Sequence, residues 1–405
     1  MVATDERDEG IEASLRVFRR GAVDLIEEGE LRRKLERAFA GGGRLRVKLG
    51  LDPSSPDLHV GHSIPLRKLR DLQELGHQIV LIVGEATAMV GDPSGRSKLR
   101  PQLTRDEVRA NMQTYIEQAS LVLDMERVEI RYNTEWFDAM SFEDVMRLAS
   151  RMTVAQMIQR DIFQTRMQAE EPIGIHEFLY PLMQGWDSVM VRADVELGGT
   201  DQLFNLLVGR DLQEKEGQER QVVLTTPLIN GLDGRKMSKS YGNAIGLNDA
   251  PDDMFGKVMS LADEAMETWF VNLTRLDDDE VAGLLAGHPR EAKARLAHEI
   301  TAFYHGVNAA EAAGKAFDRR FRDKELPNDI PEKTYAGDWP VPLSALLREL
   351  GLTSSSSEAR RLIEQGGVRV DEEVVSDPKR MIDEPAETLL IQVGKRRFAR
   401  VVRPG

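Results

Sequence analysis

Residues 45–62, Leu-Arg-Val-Lys-Leu-Gly-Leu-Asp-Pro-Ser-Ser-Pro-Asp-Leu-His-Val-Gly-His, constrain the fold more than any other stretch. Alternating Leu45, Val47, Leu49 and Leu51 suit a strand, and Asp52-Pro53-Ser54-Ser55-Pro56 cannot continue it. Asp57 reads as the N-cap of a helix carrying His59 and His62 on one face of its first turn. That helix runs to about Leu75, stops at Gly76, and is followed by an apolar run from Ile79 to Val83. Strand, helix and strand with continuous apolar strands form a right-handed crossover in a parallel sheet, whose ligands bind at the carboxyl ends of the strands. The expected site is thus the turn after Leu51, where two imidazoles stand beside unpaired backbone N–H groups and a helix dipole that favours an anion. Gly61 lets a ligand approach the backbone closely. A two-histidine metal site is the competing reading, but the chain has no cysteine and no third ligand stands nearby.

Three further polar loops suit the same rim. Gly91-Asp92-Pro93-Ser94-Gly95-Arg96-Ser97-Lys98-Leu99-Arg100 carries cations at alternate positions and fits a polyphosphate, or else an ordinary solvated turn. Asp194 to Leu197 reads as a strand opening into Gly198-Gly199-Thr200-Asp201-Gln202 and a helix through Phe204, Leu207 and Val208. Leu228 to Gly242 is glycine-rich, with Lys236 and Lys239 spaced to reach one phosphate together. Between these loops, Tyr180, Gln184 and Asp187 fall at i, i+4 and i+7, one face of a helix over Ile175 to Val189. That polar stripe faces either a polar ligand or solvent.

A chain of 405 residues can hold two or three domains. Residues 11–40 have helical periodicity ending at Gly41-Gly42-Gly43, and 105–190 read as mostly helical and methionine-rich, which suits packing and an interface. Helical periodicity continues from Pro251 to about Arg322; Pro327, Pro331, Pro340 and Pro342 mark a linker, and a small module of helices and short strands follows. No run reaches the eighteen apolar residues of a membrane span, and the acidic start, Met-Val-Ala-Thr-Asp-Glu-Arg-Asp-Glu, does not suit a signal peptide. A soluble, cytoplasmic protein is expected, in agreement with the lack of cysteine. The net charge of -14 argues against nucleic-acid binding by the whole surface, but residues 341–405 hold 11 Lys+Arg against 10 Asp+Glu and stand apart from the acidic remainder.

His59-Val60-Gly61-His62 resembles the first signature of class I aminoacyl-tRNA synthetases, and Lys236-Met237-Ser238-Lys239-Ser240 is letter for letter their second. With the Gly-Gly-Thr-Asp-Gln turn between them, the chain resembles bacterial tyrosyl-tRNA synthetases from end to end. The resemblance implies an α/β fold with a Rossmann-like parallel-sheet catalytic domain over 1–246, including the helical insertion at about 105–190. It further implies a small all-α anticodon-binding domain over 247–324, a linker over 325–340 and an α+β RNA-binding module of ribosomal-protein type over 341–405. In that module Asp371-Glu372 replaces the more usual Asn-Gly turn, so its hairpin is expected to differ.

The activity implied is tyrosine–tRNA ligation through tyrosyl-adenylate, with L-tyrosine, ATP as its Mg2+ complex and tRNA(Tyr) as partners, no protein-bound metal, and a homodimer formed through residues around 130–190. By the same resemblance, Ser54, His59 and His62 meet the ATP phosphates and adenosine beside Gly61, and Arg96, Arg100, Lys236 and Lys239 hold the departing pyrophosphate. Gly199 and Asp201 take the ribose, and Asp52 lies between substrate and ribose. Asp92, Tyr180 and Gln184 take the tyrosine amino group, Gln202 stands near the carboxylate, and Asp187 accepts the phenolic hydroxyl. Lys48 stands where family members often place a tyrosine that also reads this hydroxyl. An ion pair between Lys48 and Glu85 lining the pocket is expected, with Lys48 also orienting Asp187 toward the substrate hydroxyl; snorkelling of Lys48 to solvent is the alternative. Two other readings are a related nucleotidyltransferase acting without tRNA and a non-catalytic RNA-binding protein; the tail counts against the first and the intact signatures against the second.

Overall fold

The computed structural model describes residues 2–53, 58–94, 103–235, 237, 241–321, 330–385, 388–394 and 397–402. The chain divides into two compact units, Met1–Ala316 and Phe317–Gly405.

Unit 1 is built on a six-stranded sheet: β1 (Asp24–Ile26), β2 (Arg46–Leu51), β3 (Gln78–Val83), β4 (Val128–Tyr132), β5 (Val195–Gly199) and β6 (Val222–Thr226). Their order is β1-β6-β5-β2-β3-β4, parallel throughout except for β1, which runs antiparallel to β6. Val47, Ile79, Val80, Ile82, Val195, Val222, Val223 and Leu224 are buried to 0% exposure, as expected for strands covered on both faces. From β2 the chain winds outward through β3 and β4, then returns to lay β5 on the other side of β2. The switch point of the sheet is therefore the gap between the ends of β2 and β5, where ligands of such sheets bind.

Two segments differ from the helical expectation. Within 11–40, helix Val2–Arg19 ends at Gly21, whose φ of +63° is left-handed, and β1 precedes helix Glu28–Ala40. Three residues suffice for an edge strand, because its stability comes from pairing with β6 and not from its own pattern. Within 105–190, β4 supplies the opposite edge.

Helices Pro251–Met259, Met266–Leu273, Asp278–Ala286 and Pro289–His305 pack beside the sheet domain in the same unit. The Tyr304 hydroxyl donates to Ser63 Oγ at 2.7 Å, and the Arg67 guanidinium lies 3.6 Å from the Phe303 ring centroid. These contacts brace helix Val60–Glu74, which opens on the histidines.

Unit 2 carries helices Leu343–Glu349 and Ser356–Glu364 on a five-stranded sheet of order β10-β9-β12-β13-β7, with β7 (Glu332–Thr334), β9 (Val368–Val370), β10 (Glu373–Val375), β12 (Thr388–Val393) and β13 (Arg397–Val402). β8 (Val341–Pro342) pairs separately with β11 (Met381–Ile382). Leu343, Leu346, Leu347, Ile363, Val368 and Ile391 form the core. The proline-rich stretch expected as a linker contributes β7, parallel to β13, because an edge strand needs hydrogen bonds on one side only. The β9–β10 hairpin forms despite lacking Asn-Gly: Asp371 and Glu372 take φ of +46° and +69°, and the Asp371 carboxylate accepts from Leu390 N at 2.9 Å. Aspartate tolerates the left-handed region better than most residues, and here that anchor holds it there.

Candidate active site

A cavity of about 310 Å³ opens at the switch point. Its walls come from the ends of β2 (Gly50, Leu51, Asp52) and β5 (Leu197, Gly198, Gly199), from His59, Gly61 and His62, and from Tyr180, Gln184 and Asp187. Asp92, Asp201, Gln202, Thr87 and Met237 also line it.

The helix spacing works as expected: helix Leu179–Val191 turns Tyr180, Gln184 and Asp187 to the same cavity. Asp52, just past β2, accepts from the Tyr180 hydroxyl at 2.7 Å and from Thr87 Oγ1 at 2.8 Å. Gly84 is required here, since a Cβ at that position would lie 2.0 Å from Asp52 Oδ1. Asp92 accepts from Ser94 N at 2.8 Å, from Ser94 Oγ at 2.6 Å and from Gln202 Nε2 at 2.8 Å. Asn205 Nδ2 donates to Gln202 Oε1 at 2.9 Å and to Gln184 Oε1 at 3.0 Å. These bonds tie the Asp92 loop to the helix of Gln184.

Asp187 is 3% exposed; Trp136 Nε1 donates to its Oδ1 at 3.0 Å and Asn133 Nδ2 to its Oδ2 at 3.4 Å. Burial pushes its pKa up to about 7, against the opposing pull of Lys48 and these two donors. The folded chain therefore holds a proton that the unfolded chain has released above its ordinary value of 3.8, so stability falls as pH rises from about 4 to 7. Asp187→Asn should flatten that decline, worth at most roughly 4 kcal/mol by the linkage relation. The check is the urea midpoint of both proteins from pH 5 to pH 8, and parallel curves would refute the assignment.

The N-cap of helix Val60–Glu74 is His59 and not Asp57, which lies outside the described residues. His59 N donates to His62 Nδ1 at 3.3 Å, and the rings stack with centroids 3.7 Å apart. The His62 ring nitrogen here does the work usually given to Glu in a capping box, and the stack places both rings at the positive end of the helix. A Cβ at position 61 would come 3.0 Å from His59 Nδ1, so glycine also keeps room for the stack. Val60 N donates to Ile245 O at 2.9 Å, which brings the segment after the basic loop alongside the histidine turn. Ser54, Arg96, Arg100, Lys236 and Lys239 lie outside the described residues.

Residues 41–322 match the family described as tRNA synthetases class I (W and Y), and residues 341–387 match the S4 domain. The chain is 51% identical to the tyrosine–tRNA ligase of Bordetella pertussis, with 96% of each chain covered. It is 49% identical to that of Moorella thermoacetica, with 97% of each covered. The chain belongs to the class I tyrosyl-tRNA synthetases. In fold the synthetase is similar to a C-terminally truncated mitochondrial tyrosyl-tRNA synthetase of Aspergillus nidulans (TM-score 0.63, 23% identity, 78% of this chain and 100% of that one). It is also similar to the Archaeoglobus fulgidus tyrosyl-tRNA synthetase complexed with L-tyrosine (TM-score 0.60, 23% identity, 75% of this chain and 99% of that one).

One expectation about the synthetase is overturned. Lys48 pairs neither with Glu85 nor with solvent: it is 0% exposed, and its Nζ lies 2.8 Å from Glu196 Oε1. Register is the reason. Lys48 stands opposite Val80 in β3, so Glu85 lies five residues farther along, roughly 16 Å at 3.3 Å per residue. Glu85 instead pairs with Arg109 at 2.7 Å and accepts from Thr134 Oγ1 at 2.9 Å. Lys48 is also absent from the described cavity lining, so its expected place among the tyrosine contacts is corrected to one behind the wall.

Sequence reasoning missed Asn133 and Trp136, which hold Asp187, and Arg160, which lies 3.6 Å from Asp92 and donates to Ser94 Oγ. Nothing local distinguishes these three. Glu196 did carry a signal: like Lys48, it is a charge set among apolar strand residues, and each such charge needs a partner of the other sign.

Proposed function

We propose that the cavity takes L-tyrosine and ATP side by side and joins them as tyrosyl-adenylate, and that the tyrosyl group then passes to the 3′ end of tRNA(Tyr) with release of AMP. The observation carrying this reading is one cavity lined both by a buried carboxylate, Asp187, and by a paired-histidine helix start. In the first step the tyrosine carboxylate attacks the α-phosphorus, an O–P bond forms, the α–β anhydride breaks and diphosphate leaves. An ionised carboxylate needs no general base, so the residues work by positioning and by stabilising charge.

Each residue then has a role its chemistry fits. Asp187 accepts the phenolic hydroxyl; Asp92, Tyr180 and Gln184 take the ammonium group, with Gln202 by the carboxylate. Asp52, Gly199 and Asp201 meet the ribose. His59 and His62 with Gly61 and Ser54 meet the phosphates of the Mg2+–ATP complex, and Arg96, Arg100, Lys236 and Lys239 hold the leaving diphosphate. The exposed Phe142, Met146, Val154, Met167 and Ile175 support a homodimer through the helical insertion. A cytoplasmic location is part of the same proposal, in keeping with a chain that lacks cysteine.

Pyrophosphate exchange into ATP, run with each of the twenty amino acids, tests the proposal. Tyrosine should support it far better than any other, and exchange that favours another amino acid, or that needs none, defeats the reading.

The unit 2 module is read as a contact to tRNA, because residues 341–405 are the part of the chain without net negative charge. Deleting 330–405, which removes β7 with its sheet, should leave pyrophosphate exchange near wild type and lower tRNA charging at limiting tRNA. Full-rate charging by the shortened chain would exclude the module from tRNA binding.

A further inference from the structure

Behind the tyrosine end of the cavity lies a charge pair that the roles above do not use. Lys48 in β2 and Glu196 in β5 are Cα partners across the parallel ladder, and both side chains are 0% exposed. All three donors of the ammonium are engaged: Glu196 Oε1 at 2.8 Å, Ser188 Oγ at 2.8 Å and the carbonyl oxygen of Gln184 at 2.9 Å. Glu196 in turn accepts from Gln184 Nε2 at 3.3 Å, from Ser188 Oγ at 2.9 Å and from Gln221 Nε2. The pair therefore grips Gln184 twice, by its main-chain carbonyl and by its amide. Gln184 passes the constraint on through Asn205 and Gln202 to Asp92.

A buried ion pair is weak evidence for stability, since apolar residues of like volume often do as well. Its connections say more. Ser188 and Gln184 flank Asp187 on the same helix, and Lys48 and Glu196 are the charged groups that act on the Asp187 carboxyl, the first favouring its ionised form and the second opposing it. The other groups facing that carboxyl, Trp136 and Asn133, are neutral donors.

We propose that Lys48 and Glu196 are positioning residues of the amino-acid pocket: bonded to Gln184 and Ser188 on either side of Asp187, they fix that stretch of helix and so place the Asp187 carboxyl to select tyrosine over phenylalanine. This rests on the reading that the cavity takes tyrosine.

The test uses the full-length synthetase with Lys48→Met, Glu196→Gln and the double variant. Pyrophosphate exchange is measured against tyrosine, phenylalanine and ATP, and tyrosine binding is followed from pH 5 to pH 9. Each single variant should raise the tyrosine KM about tenfold or more, the equivalent of one buried hydrogen bond misplaced, with the ATP KM within about twofold. The pH midpoint of tyrosine binding should move up in Lys48→Met and down in Glu196→Gln, opposite shifts that a merely structural role would not produce. Where either single variant fails to fold, the double decides, since it leaves neither charge buried alone. A folded double variant should keep the raised tyrosine KM and the reduced preference for tyrosine over phenylalanine. Wild-type values for both in that variant overturn the inference. Absence of tyrosine-dependent exchange in the unaltered enzyme would instead defeat the functional reading itself.

Discussion

Asp187→Ala and Asp187→Asn are expected to collapse the preference for tyrosine over phenylalanine. A pocket built to hydrogen-bond a hydroxyl rejects the analogue lacking it by about 10⁴ to 10⁵, a range for which tyrosyl-tRNA synthetases are themselves the standard example. The reason lies in what phenylalanine would leave behind. Asp187 already accepts from Trp136 and Asn133, but a carboxylate has four lone-pair sites, so a phenol can still donate to it. With phenylalanine bound, the buried carboxyl faces apolar carbon where the phenol would have donated, and burial, which already pushes its pKa up to about 7, loses one opposing contact. The amide of Asp187→Asn would present an NH2 group to at least one of two fixed donors, which spoils the geometry without opening a cavity. Alanine removes the acceptor outright. In both variants kcat/KM for tyrosine should fall far more than for phenylalanine, and the ratio of the two in pyrophosphate exchange is the quantity to measure. An unchanged ratio would place hydroxyl recognition elsewhere.

Lys236→Ala and Lys239→Ala should each slow adenylate formation by roughly 10², about 3 kcal/mol, with tyrosine affinity nearly intact. Charge builds on the diphosphate as the anhydride breaks, so a cation that meets it acts in the transition state and not on bound tyrosine. Both lysines lie outside the described residues, but their neighbours frame the argument: Met237 lines the cavity, and Ile245 is hydrogen-bonded to the histidine turn. Single-turnover adenylate formation and equilibrium tyrosine binding separate the two effects. Wild-type rates in either variant would take that lysine out of the reaction.

Much of the site was legible because it is local. Tyr180, Gln184 and Asp187 share a cavity because a helix repeats every 3.6 residues, and that period is written in the spacing itself. Asp52 and Gly199 line one cavity because each stands at the carboxyl end of a parallel strand, which glycine and proline punctuation announces within a few residues. The same logic failed at β1, where three residues inside an apparently helical stretch became a strand only because β6 offered its edge. It failed again for the cap: an aspartate two residues upstream has the better propensity, yet the helix opens at His59, whose backbone N–H is taken up by the His62 ring.

What tertiary structure alone decided is which charges meet. Lys48 was recognisable from sequence as a cation that burial would force to find a partner, but its partner is 148 positions away, in a strand that lies beside β2 only because the chain reverses its winding after β4. Register is equally decisive, since a shift of one residue between β2 and β5 would turn Glu196 to the opposite face of the sheet. The donors to Asp187 have the same origin, for Asn133 and Trp136 follow the edge strand β4 and reach helix Leu179–Val191 only once the sheet is assembled. Periodicity and capping act over a few residues and can be read along the chain, whereas strand order and register are settled by burying the apolar surface of the whole domain at once.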